Sequence, residues 1–437
     1  MRFALTAGAV VAAASGVVAQ GCASGTAFED NGNWYCSAVK AITYTGLTDN
    51  SGSYNRITAM DSASGTCSST SQGFGGTLSP LDEEVSLHIR GPMRIKQIAV
   101  YTPSSDDESS KKRSIGRRRR HRRHHGHAHG KREAEPEPDM VTATIDGQVV
   151  SWVNTYFGPT SASEAMGTIV PTTTAATASS IVSAAESPAT FFDAGSGNWG
   201  RQAYYNAESG TASGLVFLNH FGGTESGVWD DVFGSSLSYA SADGTTGASC
   251  SQTLEDVFLD DDAELVIMTD TECGDSDCGY VRNGSVAYHG WSGSQKAFLL
   301  EFSMPLTGKT GFDADMPAIW LLNAQIPRTL QYGQSDCSCW TSGCGEWDIF
   351  EILDAGNTKA KSTIHMNISG GDSNYFDRPT DDSIKVAVVF EGDSGEAHIQ
   401  IIDDGTSFDE TITGDVMKKF CSLTKATSHS AVFDMTS

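Results

Sequence analysis

Past residue 19 the 437-residue sequence has no long apolar run. About 18 consecutive apolar residues would be needed for a membrane-spanning helix, so no span is expected. Proline is scarce, at 12 residues against 46 glycines, and no long amphipathic helical stretch separates the apolar runs. That excludes an α/β plan and suits many short strands joined by turns. Basic residues are outnumbered, 29 Lys and Arg against 54 Asp and Glu, for a net charge of −25. Such a chain is a poor partner for nucleic acid. The carboxyl end, Ala431 to Ser437, lacks the long apolar tail of a lipid-anchor signal. Histidine at metal-binding spacing is missing beside Cys337, Cys339 and Cys344, which argues against a zinc site there.

What is present points to the secretory route. Arg2, the apolar stretch Ala9–Ala14 and the small residues Val17-Val18-Ala19 read as a signal peptide over residues 1–19. Ten cysteines in an exported chain read as disulfides. Three fall before residue 100 and seven after 249, so either one bridge joins the two groups or each keeps a free thiol.

Residues 20–102 carry alternating runs at Val39–Tyr44, Val85–Ile89 and Ile95–Tyr101, the pattern of a small β module. Residues 103–189 read as a linker. The tract Lys111 to Arg132 holds 11 of the 29 basic residues, and a block of like charge repels itself and is expected to be disordered. Lys131-Arg132, followed by Glu-Ala and Glu-Pro dipeptides, has the form of a dibasic site for a processing protease. Excision of the tract would take the net charge to −36. A hairpin is expected around Asp146-Gly147, and residues 160–189, rich in Ser, Thr and Ala, form a stalk. Residues 190–437 contain strand-like runs at 214–218, 264–268, 297–302, 318–322, 346–353, 362–365, 384–390 and 397–402. They predict a large all-β domain, a sandwich or jelly roll, with the smaller β module preceding it. Asn283 and Asn367 open N-glycosylation sequons.

Chemistry concentrates in Gly345-Glu346-Trp347-Asp348-Ile349-Phe350-Glu351-Ile352-Leu353. Side chains of a strand alternate between faces, so Glu346 and Asp348 share one. Glu351 is one residue late for it. A β-bulge at Ile349-Phe350 restores the phase, leaving three carboxyls on one face and Trp347 and Ile352 on the other. Carboxyls this close cannot all ionise. Retaining glycoside hydrolysis needs such a set, one carboxylate attacking the anomeric carbon and a second carboxyl protonating the leaving oxygen, roughly 5 to 5.5 Å apart. Acidic alternation also occurs on plain solvated strand faces and in calcium sites.

The spacing Glu346-x-Asp348-x-x-Glu351 resembles the catalytic signature of the family-sixteen glycoside hydrolases, β-jelly rolls that act on β-glucans. Met316 to Leu322, with Trp320, is similar to the strand that precedes their active site. Cys344 to Glu351, the acidic carboxyl-terminal region and the cysteine-bearing amino-terminal module together resemble fungal cell-wall proteins described as glycosyl hydrolases, over residues 20–100 and 190–435. The resemblance implies Glu346 as nucleophile, Asp348 as its helper and Glu351 as acid/base. It implies a secreted wall protein whose partner is β-glucan, endo-acting and β-1,3-linked, with no metal or cofactor, and an amino-terminal module serving wall association. Trp320 and Trp340 are the expected sugar platforms, with His365 supporting the acid/base region. A transglycosylase and a non-catalytic glucan-binding wall protein are the alternatives. The loop Cys337–Cys344 departs from the family-sixteen pattern.

Overall fold

The structure is a computed structural model that describes residues 27–104, 140–145, 148–153, 197–274, 277–425 and 427–436. The expected signal peptide, basic tract and stalk lie outside these.

The chain is all-β, as expected. Two large sheets face each other across one core. The first has the strand order 247–248, 238–240, 215–219, 264–269, 85–90, 318–323, 346–352, 359–365 and 369–370, with 376–377 beside 359–365. The second runs 211–213, 198–206, 94–103, 296–303, 384–391, 396–402, 41–45 and 430–434, with 411–413 beside 198–206. Every pairing in them is antiparallel except that of Ala41–Thr45 with Ser430–Asp434.

Alternation explains the core. In the Val85–Arg90 strand, Leu87 and Ile89 point inward and are fully buried. Leu265, Ile267, Ile319, Leu321, Trp347 and Ile352 do the same on its neighbours. Ile98, Val100, Phe298, Leu300, Val386, Val388 and Ile399 meet them from the second sheet. Burying each such side chain contributes roughly 1.5–3 kcal/mol. The outer face of the second sheet is covered in turn, Trp199, Leu299 and Val389 packing under Phe408, Ile412, Met417 and Phe420.

One expectation is corrected. Residues 20–102 do not form a separate module. The Val85–Arg90 strand is inserted between Glu264–Thr269 and Ala318–Asn323, and Arg94–Pro103 between Asn198–Asn206 and Lys296–Ser303. Ala41–Thr45 joins Glu396–Ile402 near the opposite edge. The physical reason is that these strands are buried on their inner faces and hydrogen-bonded on both sides. A fragment of three such strands could satisfy neither demand alone. The basic, Ser/Thr-rich stretch that reads as a domain linker is instead a long insertion between two paired strands. Ser104 N–H donates to the Asn198 carbonyl at 2.7 Å, so chain leaves and re-enters the sheet at one point.

The cysteine question resolves as a bridge between the two halves, Cys67–Cys337. Cys273–Cys278 and Cys339–Cys344 close short loops, and Cys36 is also disulfide-bonded. Cys250 and Cys421 remain thiols. The hairpin expected near Asp146-Gly147 pairs Met140–Ile145 with Gln148–Val153. Asn283 and Asn367 are exposed.

Candidate active site

The Glu346–Ile352 strand is bulged. Its register with Lys359–His365 jumps between Asp348↔Thr363 and Glu351↔Lys361, so Ile349 and Phe350 oppose one residue. Both turn into the core, where they are 1% and 0% exposed. The phase slip brings Glu351 back to the face of Glu346 and Asp348, and all three line one cleft of about 340 Å³.

Register across four strands arranges that face in rows. Ser86, Leu322, Glu346 and His365 form the first, and His88, Trp320, Asp348 and Thr363 the second. Arg90, Ala318, Glu351 and Lys361 form the third. His365 Nε2 lies 3.2 Å from Asp348 Oδ2. Trp340 donates its indole N–H to Glu346 Oε2. Glu351 accepts no hydrogen bond among the described residues. Trp320 lies in the cleft floor and is only 5% exposed, its ring stacked on His88 at 5.2 Å with the Arg90 guanidinium 6.0 Å from its centroid.

The connection from the 318–323 strand to the 346–352 strand folds back over this face. Short helical turns at Gln325–Thr329, Ser335–Cys337 and Trp340–Ser342 make one wall. Its far end is pinned by Glu264, whose carboxylate accepts from Tyr332 Oη at 2.7 Å and Gln331 Nε2 at 2.8 Å. His88 Nδ1 lies 3.3 Å and His220 Nε2 3.5 Å from Oε1, the oxygen that Gln331 bonds, while Tyr332 bonds Oε2. Burial opposes ionisation of Glu264, but hydrogen bonds from His220 and His88 outweigh it and hold this carboxyl far below the usual range. Phe312 also lines the cleft.

The three clustered carboxyls behave oppositely. Burial, then the Asp348 charge, pushes Glu351 up to about 8. Burial raises Glu346, reinforced by Asp348 and opposed by His365 and the Trp340 hydrogen bond. Burial also raises Asp348, which Arg90 opposes. The sign for stability follows. Each group holds its proton more tightly folded than unfolded, so stability is lost as pH rises from the ordinary carboxyl value of 4.5 to about 8 for Glu351. Chemical denaturation should therefore give a lower midpoint at pH 8 than at pH 5. Glu351→Gln should recover on the order of 1–3 kcal/mol at pH 8 and change little at pH 4. A variant less stable than the parent at pH 8 would contradict the shift.

The sequence-designated residues thus fall as follows. Glu346, Asp348, Glu351, Trp320 and Trp340 line the cleft. His365 is beside it and touches Asp348. Trp347 is in the core, as its alternation requires, and so is Trp291, packed on Phe298 at 5.5 Å. Cys337, Cys339 and Cys344 are in disulfides, so their sulfurs are not thiolate ligands. Sequence reasoning missed His88, Arg90, Glu264 and Tyr332. The alternation Ser86-His88-Arg90 against Leu87-Ile89 carries a signal for the first two, but the strand reads locally as part of a separate module.

Two family models match the chain: the carboxyl-terminal part of "Cell wall protein YJL171C/Tos1" over residues 197–420, and its amino-terminal part over 40–103. Among curated relatives, a Candida albicans protein named "Probable circularly permuted 1,3-beta-glucanase TOS1" is 38% identical, covering 89% of this chain and 91% of its own length. A Saccharomyces cerevisiae protein of the same name is 38% identical over 92% and 93%. An Arthroderma benhamiae protein named "Probable circularly permuted 1,3-beta-glucanase" is 40% identical over 99% and 100%. No solved structure matches.

Proposed function

The chain belongs to the YJL171C/Tos1 cell wall protein family, and from that premise we propose that it is a secreted, retaining endo-β-1,3-glucanase of the wall. The observation that carries the reading is the bulged strand, which sets Glu346, Asp348 and Glu351 side by side in one open cleft. The names of its relatives supply the linkage. The word permuted in those names fits the interleaved strands, since the amino-terminal segment contributes interior strands to both sheets.

Roles follow from the partners of each carboxyl. Glu346 has a donor, the Trp340 indole, which favours its ionised form and suits it to attack the anomeric carbon. Glu351 is buried and raised like Glu346, but among the described residues it has no donor to favour its ionised form, so it is the one that keeps a proton at neutral pH. It gives that proton to the leaving glycosidic oxygen, then removes one from the water that releases the glycosyl-enzyme. Asp348 stands between them with His365, and its charge raises the proton affinity of both. Activity should therefore fall as pH rises through about 8 and Glu351 loses its proton.

The test is incubation of the full-length protein with linear β-1,3-glucan beside β-1,4- and β-1,6-glucan. Proton NMR then reads the first-formed anomer, and chromatography the product lengths. Internal cleavage of the β-1,3-glucan with the β-anomer appearing first is expected. No cleavage, or the α-anomer first, overturns the proposal.

A further inference from the structure

The turn that carries Trp340 is fastened at several points. It is short, Trp340–Ser342, and Trp340 itself is 39% exposed. Cys339–Cys344 closes a ring around it. Cys67–Cys337 ties its root to the long hairpin of Asn50–Asp61 and Thr66–Gly76. Asn55 N–H from the same hairpin donates to Ser342 Oγ at 2.8 Å. Gly343, at φ 85°, ends the turn so close to the bend between strands 359–365 and 369–370 that a Cβ there would lie 2.7 Å from the Asn367 amide nitrogen. All of these ties fix the position of one side chain, whose N–H reaches Glu346.

We propose that Trp340 is a positioning residue: its indole N–H holds Glu346 Oε2, leaving Oε1 aimed for attack, and the disulfide-closed turn is the device that keeps it there. The proposal rests on Glu346 being the nucleophile. Among the described residues nothing bonds to Oε1, so the carboxylate presents one engaged and one free oxygen. A carboxylate free to rotate about its last bond would spend much of its time misaligned, and the cost falls on the transition state. The ring face of Trp340 remains available beside the cleft, so loss of the N–H and loss of the ring separate cleanly.

The experiment compares Trp340→Phe with the parent. Phe keeps an aromatic face and removes the donor. With β-1,3-glucan as substrate, kcat should fall about 10- to 100-fold, the worth of one charge-assisted hydrogen bond, while KM stays within about threefold. The acidic limb of the pH profile should move to higher pH, because the donor favours the ionised carboxylate. The double variant Cys339→Ser/Cys344→Ser, with Cys67–Cys337 intact, should show the same kcat loss at an unchanged circular dichroism spectrum. Carbon-13 NMR of the Glu346 carboxyl should show its titration midpoint raised in Trp340→Phe. Unchanged kcat, acidic limb and midpoint would overturn the proposal, as would a loss confined to KM, which marks a sugar platform only. If the parent cleaves no glucan, the glucanase reading fails, yet the Glu346 titration still decides whether Trp340 positions it.

Discussion

Glu346→Gln is expected to lower kcat on β-1,3-glucan by roughly three to five orders of magnitude, the largest effect of any single substitution in this chain. Glu351→Gln should cost roughly two to four orders on the same polymer. The two are told apart by the leaving group. A dinitrophenyl laminaribioside departs without a proton, so Glu351→Gln should retain near-parental glycosylation of the enzyme on it, while Glu346→Gln should not. The argument is geometric as well as chemical. Both side chains occupy one cleft because the bulge turns Ile349 and Phe350 together into the core. Equal losses on both substrates would exchange or abolish the assigned roles.

The second large effect concerns folding. Residues 197–437 expressed alone should fail to fold, although they contain all three carboxyls. They lack Val85–Arg90 and Arg94–Pro103, which are interior strands of the two sheets. With them go Leu87, Ile89, Ile98 and Val100, each fully buried. At roughly 1.5–3 kcal/mol per side chain, that loss alone rivals the 5–15 kcal/mol by which a domain is ordinarily stable. The strands Glu264–Thr269 and Ala318–Asn323 would also lose the neighbour between them. Circular dichroism and a proton–nitrogen NMR spectrum read the result directly. A dispersed spectrum with cooperative melting from this fragment would show the amino-terminal strands to be dispensable.

Much of the site was legible in the sequence because its signal is local. The misphased spacing of Glu346, Asp348 and Glu351 demands a bulge, and the bulge lies where those residues require it. Period-two alternation likewise sends Trp347 inward. What escaped is long-range. Nothing local in Val85–Arg90 says that its neighbours come from residues 264–269 and 318–323. The stretch after Pro103 looks like a boundary because its composition changes, yet strand pairing continues across it at Asn198–Asn206. Residue type alone makes Trp340 a sugar platform. Its bond to Glu346 depends on a turn whose shape is set by two disulfides and a left-handed glycine. Glu264 reads as the first residue of an ordinary strand. It becomes a latch only because Gln331 and Tyr332 return to it from the far side of the cleft wall.

The meeting of Ser104 and Asn198 at one edge of paired strands has a practical result. A cut anywhere between them would sever the polypeptide without parting the halves. Shared sheets would hold them, and Cys67–Cys337 would keep them covalently joined. Such a nicked protein would migrate as one species on a denaturing gel until a reducing agent released two. Its apparent size would then report its sulfur chemistry rather than whether its backbone was whole.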